Sequence, residues 1–226
     1  AAAGPFERRT EALFQRLDRL DERLADPRVH GHVLLAKGVR AYCAADWRAA
    51  LALCDESERT FRERCTGVTW EVWTMRTFAT WSLYQMGEWR DLERRVDRHL
   101  AEARDRGNVY ATTVTRVPFG LLAWLARGDL EGARRSAREA IAGWSVQGFH
   151  LQHTLFLQAE TLLDLYAGDA ASAWARVRRA WPRLAGSLLL RIPIVRVGML
   201  HARAGCALAA AAAAPGEARR GLLDDA

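Results

Sequence analysis

Apolar positions in this chain fall at helical spacing, and they alternate between two kinds of segment. From Leu130 the apolar set runs Ala133, Ala137, Ala140, Ile141 and Trp144, with Arg134, Arg135, Arg138 and Glu139 on the other face. From Trp89 it runs Leu92, Val96, Leu100 and Ala103. Such narrow stripes predict helices with one buried side. The alternate segments are apolar over a wider arc: Trp70, Val72, Trp73, Met75, Phe78, Trp81, Leu83 and Tyr84 in one, and Leu155, Phe156, Leu157, Leu162, Leu163, Leu165 and Tyr166 in another. These predict helices covered by neighbours on two sides. Narrow then wide, repeated, is the pattern of stacked helix hairpins.

Two series of turns carry the same period. The first is Ala45-Asp46-Trp47-Arg48-Ala49-Ala50, Gly87-Glu88-Trp89-Arg90-Asp91-Leu92, Gly128-Asp129-Leu130-Glu131-Gly132-Ala133 and Gly168-Asp169-Ala170-Ala171-Ser172-Ala173, whose acidic positions lie 42, 41 and 40 residues apart. The second is Gly67, Gly107, Gly148 and Gly186, spaced by 40, 41 and 38. Glycine closes a helix because the residue past its end takes a left-handed backbone. The carboxylate that follows satisfies free N–H groups at the start of the next helix. The small or apolar residue four positions on (Ala50, Leu92, Ala133, Ala173) lets two helices approach.

The pattern predicts an all-α chain with helices over 5–25, 28–44, 46–65, 68–86, 88–106, 109–127, 129–147, 150–167, 169–185 and 190–213. The helix over 109–127 is expected to be kinked or to start late, since Tyr110 to Val117 is rich in β-branched residues and ends at Pro118. This makes one helical-repeat domain over 1–226, with complete repeats at 28–65, 68–106, 109–147 and 150–185 and partial units at 1–25 and 190–226. The chain opens Ala1-Ala2-Ala3-Gly4-Pro5 without methionine, and Gly216 to Arg220 looks like the opening of a further helix. Both ends read as cuts through a longer protein.

Composition adds little to this picture. Half the residues are apolar and 27% are charged, a globular balance. No signal peptide opens the chain, and the alanine-rich run from Gly205 to Ala214 is short of the ~20 residues of a membrane span. We therefore expect a cytoplasmic protein without membrane contact. Cys43, Cys54, Cys65 and Cys206 form no CxxC pair and read as reduced core thiols. The net charge of +6 comes from 32 arginines and the lone Lys37, interleaved with acids rather than gathered into a basic run. A solvated helix face explains that better than nucleic-acid binding does.

The Gly-Asp/Glu-x-x-x-Ala turn between a wide and a narrow helix resembles that of the tetratricopeptide (TPR) repeat, best at Leu83-Tyr84-Gln85-Met86-Gly87-Glu88-Trp89 and Leu165-Tyr166-Ala167-Gly168-Asp169. The repeat of 40 to 42 residues exceeds the usual 34, and the helix-ending proline is missing. Longer TPR-like repeats of that kind occur in maltose-regulator-type transcription activators. Four stretches are similar to the C-terminal region of large bacterial serine/threonine protein kinases, in which a kinase domain and an ATPase-like module precede a TPR-like tail. They are Arg64 to Glu71, Glu102 to Asn108, Trp144 to His153 and Ser187 to Ile192. The resemblance covers roughly 30–213. It implies a right-handed α-solenoid of antiparallel hairpins with no cofactor. The implied role is a non-catalytic interaction or sensing scaffold for a protein or peptide partner, for domains of the same parent chain, or for a small effector. Alternatives are the effector-binding region of a transcription activator and a basic RNA-binding repeat.

No catalytic signature accompanies the repeats. Lys37 sits between Ala36 and Gly38, so there is no Walker A lysine, and the His-Arg-Asp and Asp-Phe-Gly kinase motifs are absent. His150 and His153 lack a third metal ligand nearby and read as a polar helix end. His30 and His32 read as surface residues of a turn. Trp47 and Trp89, matched in two turns, read as core. The resemblance implies that the wide helices line a concave face. The polar residues they carry are Glu71 and Arg76, Thr112 and Arg116, Gln152, His153 and Gln158, and Arg191, Arg196 and Arg203. Either these are the solvent side of each helix, or they form a surface that binds a peptide or effector.

Overall fold

The computed structural model describes residues 5–224 and the side chains of 8–224; the chain-opening residues 1–4 and the last two residues lie outside it. Among the described residues there are twelve α-helices, two short 3-10 turns and no strand: α1 (Pro5–Leu24), α2 (Pro27–Cys43), α3 (Trp47–Arg64), α4 (Thr69–Met86), α5 (Trp89–Asp105), α6 (Val109–Arg116), α7 (Leu122–Ala126), α8 (Leu130–Ala142), α9 (Leu151–Tyr166), α10 (Ala170–Gly186), α11 (Pro193–Ala213) and α12 (Gly216–Asp224). The chain divides into two compact units, Ala1–Glu88 and Trp89–Ala226.

The turns set this helix order. Left-handed residues stand at Ala25, Ala45, Gly67, Gly87, Gly107, Gly128, Gly148, Gly168 and Leu188, one every 20 to 22 residues. Five of these turns share one hydrogen-bond scheme. At Gly87, for example, Gly87 N–H donates to Tyr84 O at 3.0 Å and Glu88 N–H to Leu83 O at 3.0 Å, and the same pairing recurs at Ala45, Gly107, Gly128 and Gly168. This 6→1 and 5→2 pairing satisfies carbonyls that a helix end leaves free. The next residue then caps the following helix. Asp46, Asn108, Asp129 and Asp169 accept from the backbone N–H three residues on, at 3.1, 2.9, 2.7 and 3.0 Å. Gly186 departs from its expected place: it ends inside α10, and Leu188 takes the left-handed position instead.

In the first unit α2, α3 and α4 pack together, with α1 against α2. Phe61, Val68 and Val72 form one apolar cluster, and Cys54, Met75 and Ala79 another. The α2–α3 approach is close enough that a Cβ on Gly31 would sit 2.6 Å from the Phe61 ring. Ser57 Oγ donates to Gly31 O at 2.8 Å across the same contact. In the second unit each helix from α5 onward packs on its successors. Leu157, Leu184, Val195 and Met199 tie α9, α10 and α11, and Ala173, Trp174, Val177, Cys206, Ala207 and Ala210 extend the α10–α11 contact.

Expected turn-adjacent residues Ala50, Leu92, Ala133 and Ala173 are all fully buried. The expected helix over 109–127 is split. It breaks at the cis Val117–Pro118 peptide, since proline lacks the N–H that would continue the ladder. The expected helices over 129–147 and 190–213 are shorter: α8 stops at Ala142, and a 3-10 turn at Leu189–Arg191 precedes α11. The segment from Gly216 is helical, as its composition suggested. Three packing expectations need correcting. Trp89 is 45% exposed and Trp70 60%, because each stands in the first turn of its helix, beyond the reach of neighbours. Trp47 is only half-buried. Of the four free thiols, Cys54 and Cys206 are core, whereas Cys43 is exposed and Cys65 half-buried.

Candidate functional site

The polar residues predicted to line a binding face do not converge on one spot; most are taken up by contacts between helices. On α4, Arg76 is 2% exposed. Its Nε donates to Glu58 Oε1 of α3 at 2.9 Å, and its guanidinium lies 4.5 Å over the Trp73 ring. Glu71 reaches back to α2, with Oε1 3.5 Å from His32 Nε2. His32 in turn donates from Nδ1 to Arg28 O at 2.7 Å and stands edge-on to Phe61. His30 is likewise engaged, at 2.7 Å from Asp21.

On α6, Arg116 is 5% exposed and donates through an Nη to Glu139 Oε2 of α8 at 2.8 Å. Burial lowers its pKa from the ordinary arginine value, and the adjacent Glu139 carboxylate works against that shift. Thr112 is half-buried on the same helix, and its neighbour Thr113 donates from Oγ1 to Ala140 O at 2.6 Å. On α9, Gln152 is buried and Gln158 half-buried. The Gln158 amide fills the space over Gly198, where a Cβ would meet its Nε2 at 2.7 Å.

His153 belongs to a cluster around the α9 start. Its Nδ1 accepts the His150 backbone N–H at 2.9 Å, and its ring stacks on Phe149. His150 Nδ1 accepts the Trp144 indole N–H at 2.9 Å. Arg183 of α10 covers Phe149 and donates to Gly148 O at 3.1 Å. Both imidazoles therefore act as acceptors at Nδ1, which requires that nitrogen to be unprotonated. Burial, then the neighbouring His150 and Arg183, push the His153 pKa down. Among the described residues no group of three or more His, Cys, Asp or Glu is placed to hold a metal.

The arginines at the C-terminal end behave differently. Arg203 is half-buried, its guanidinium 4.7 Å over Trp181 and 6.0 Å over Trp174. Arg191 and Arg196 are exposed, and no ion pair among the described residues engages them. Beside them lie large exposed apolar side chains, Ile192, Val197 and Leu200.

Two features escaped the sequence reading. Asp164, 2% exposed among the leucines of α9, is held by Arg134 at 3.1 Å and Arg176 at 2.9 Å. Arg176 also holds Glu160 at 2.8 Å. The signal available for it was a carboxylate within the apolar arc of a wide helix, which a buried side chain tolerates only when paired. The second is α11 itself. Counted from Pro193 rather than from Gly205, it is long and apolar enough to cross a membrane by length and composition. No known protein family, curated protein or solved structure matches this chain.

Proposed function

We propose that this chain is a non-catalytic protein-interaction scaffold, a right-handed α-solenoid of TPR-like hairpins. In this reading it works as the regulatory tail of a bacterial serine/threonine protein kinase in the cytoplasm. The observation that carries the scaffold reading is the repetition of one turn at constant spacing, with the same pair of backbone hydrogen bonds at five positions. Repeats of this kind bury their apolar faces against neighbours and leave an extended surface whose side chains vary freely. The side chains fit that use. Arg76, Arg116 and Asp164 hold helices together, and nucleophile, base and orienting group do not meet at any described point. The kinase association rests on the resemblance of Arg64 to Glu71, Glu102 to Asn108, Trp144 to His153 and Ser187 to Ile192.

Selection of a displayed random-peptide library on the immobilised chain tests the scaffold reading. Enriched peptides that bind the chain in solution support it; a library that yields no binder after repeated rounds overturns it. Salt-dependent RNA retention in a filter assay, steep in the way phosphate contacts produce, would favour a nucleic-acid partner instead.

A further inference from the structure

We infer that the outward face of α11 is a docking site for an amphipathic, carboxylate-bearing helix of a protein partner; this rests on the scaffold reading and names its partner class. One side of α11 is firmly packed: Val195, Met199, Cys206 and Ala207 lie in the cores shared with α9 and α10. The other side leaves Val197 68%, Leu200 45% and Leu208 52% exposed, with half-buried Ala204 between them. Steps of three, four and four residues place these four side chains in one row along the helix. The row is roughly 16 Å long at 1.5 Å per residue, the length of a three-turn helix contact.

Charge complementarity decides what covers the row. From Ala170 to Gly216 the sequence has seven arginines and no aspartate or glutamate. Residues 1–88 carry 13 basic and 13 acidic side chains, whereas residues 89–226 carry 20 and 14. Elsewhere exposed arginines are neutralised nearby: Arg40 by Glu11, Arg94 by Asp91, Arg106 by Glu102, Arg127 by Glu93 and Asp97. Arg191 and Arg196 are not, and they precede Ile192 and Val197 directly. A partner that supplies leucine-like side chains in one row, with carboxylates beside it, satisfies both the apolar row and the unmatched cations. This is helix-in-groove recognition with electrostatic steering. The exposed large apolar residues beyond Ala170 are all aliphatic. That disfavours nucleic acid, which uses aromatic platforms, and a lipid headgroup layer, where tryptophan and tyrosine are favoured.

The test uses the full chain and a labelled synthetic peptide of about four helical turns, with leucine at helical spacing and glutamate on both flanks. Controls are a scrambled peptide of the same composition and one with lysine for glutamate. Fluorescence anisotropy is expected to show binding of the acidic amphipathic peptide only. Leu200→Asp should weaken it about tenfold or more, as for a central interface residue. Arg196→Glu should weaken it severalfold and flatten its salt dependence. Both positions are exposed, and unchanged circular dichroism and thermal unfolding establish that the variants fold. Equal binding of the scrambled peptide, or indifference to Leu200→Asp, overturns the assignment. So does capture of the chain by phosphatidylserine vesicles in place of the peptide, or self-association that Leu200→Asp abolishes. If library-selected peptides bind but ignore Leu200→Asp, the α11 site fails and the scaffold reading stands. If no peptide of any kind binds, both fail.

Discussion

Ala45 stands at φ +61 in a turn whose counterparts at 87, 107, 128 and 168 are glycine. The left-handed backbone crowds a Cβ against the following carbonyl, at about 1–2 kcal/mol, while glycine costs about 0.4–1 kcal/mol through the freedom it adds to the unfolded chain. The first term is the larger. Ala45→Gly should therefore raise stability by roughly 0.5–1 kcal/mol, seen as a higher midpoint in denaturant; a lower midpoint would contradict the strain account. Asp164 poses the opposite case. Its carboxylate is shared by Arg134 and Arg176, both partly solvent-accessible. Removing one partner of a buried ion pair costs about 3–5 kcal/mol. The arginines here can turn toward water, so Asp164→Ala should cost about 2–3 kcal/mol, toward or below the low end of that range. Chemical denaturation of the two proteins measures it directly.

Helix ends are where this fold is most exposed to change. At Gly128, φ is +73 and nothing lies within 4 Å of where a Cβ would be. A substitution there meets no neighbour, and its cost is purely that of the backbone conformation. Gly128→Val should destabilise by about 1–2 kcal/mol, and Gly87→Val by a similar amount; no loss of thermal stability at either position would mean the turn register is wrong. The α9 start offers a pH dependence. His150 and His153 each accept a hydrogen bond at Nδ1, and the His153 pKa is lowered in the folded protein. The unfolded chain then takes up the proton first as pH falls. The sign is fixed: stability holds above about pH 6.5, the ordinary histidine value, and declines as pH falls below it. Thermal unfolding between pH 5 and 7.5, compared with His153→Gln, checks this. The variant is expected to lose part of the pH dependence.

At the scale of the whole molecule, stability in stacked hairpins is a sum of local terms and nearest-neighbour contacts. Each described helix packs chiefly on those next to it in sequence. A stabilising change at Ala45 should accordingly slow hydrogen exchange in α2, α3 and α4 and leave α9 to α11 unaltered. Uniform slowing across the chain would show one cooperative unit instead.

Local chemistry made much of this fold legible in advance. Helix order, turn positions and the buried row Ala50, Leu92, Ala133 and Ala173 follow from glycine, cap residues and spacing, because backbone hydrogen bonds at a turn involve only residues a few positions apart. The break at Pro118 was legible for the same reason. The fate of polar side chains was not. Arg76 and Glu58 are 18 residues apart, Arg116 and Glu139 lie on different helices, and Asp164 draws partners from α8 and α10. Whether such a group faces solvent, a partner or another chain depends on which helix packs beside it. Tertiary structure alone decided that Arg76 and Arg116 brace the interior while Arg191 and Arg196 remain unmatched. It also left the row Val197, Leu200 and Leu208 uncovered, since periodicity states that a helix face is apolar and only packing determines whether a neighbour lies against it.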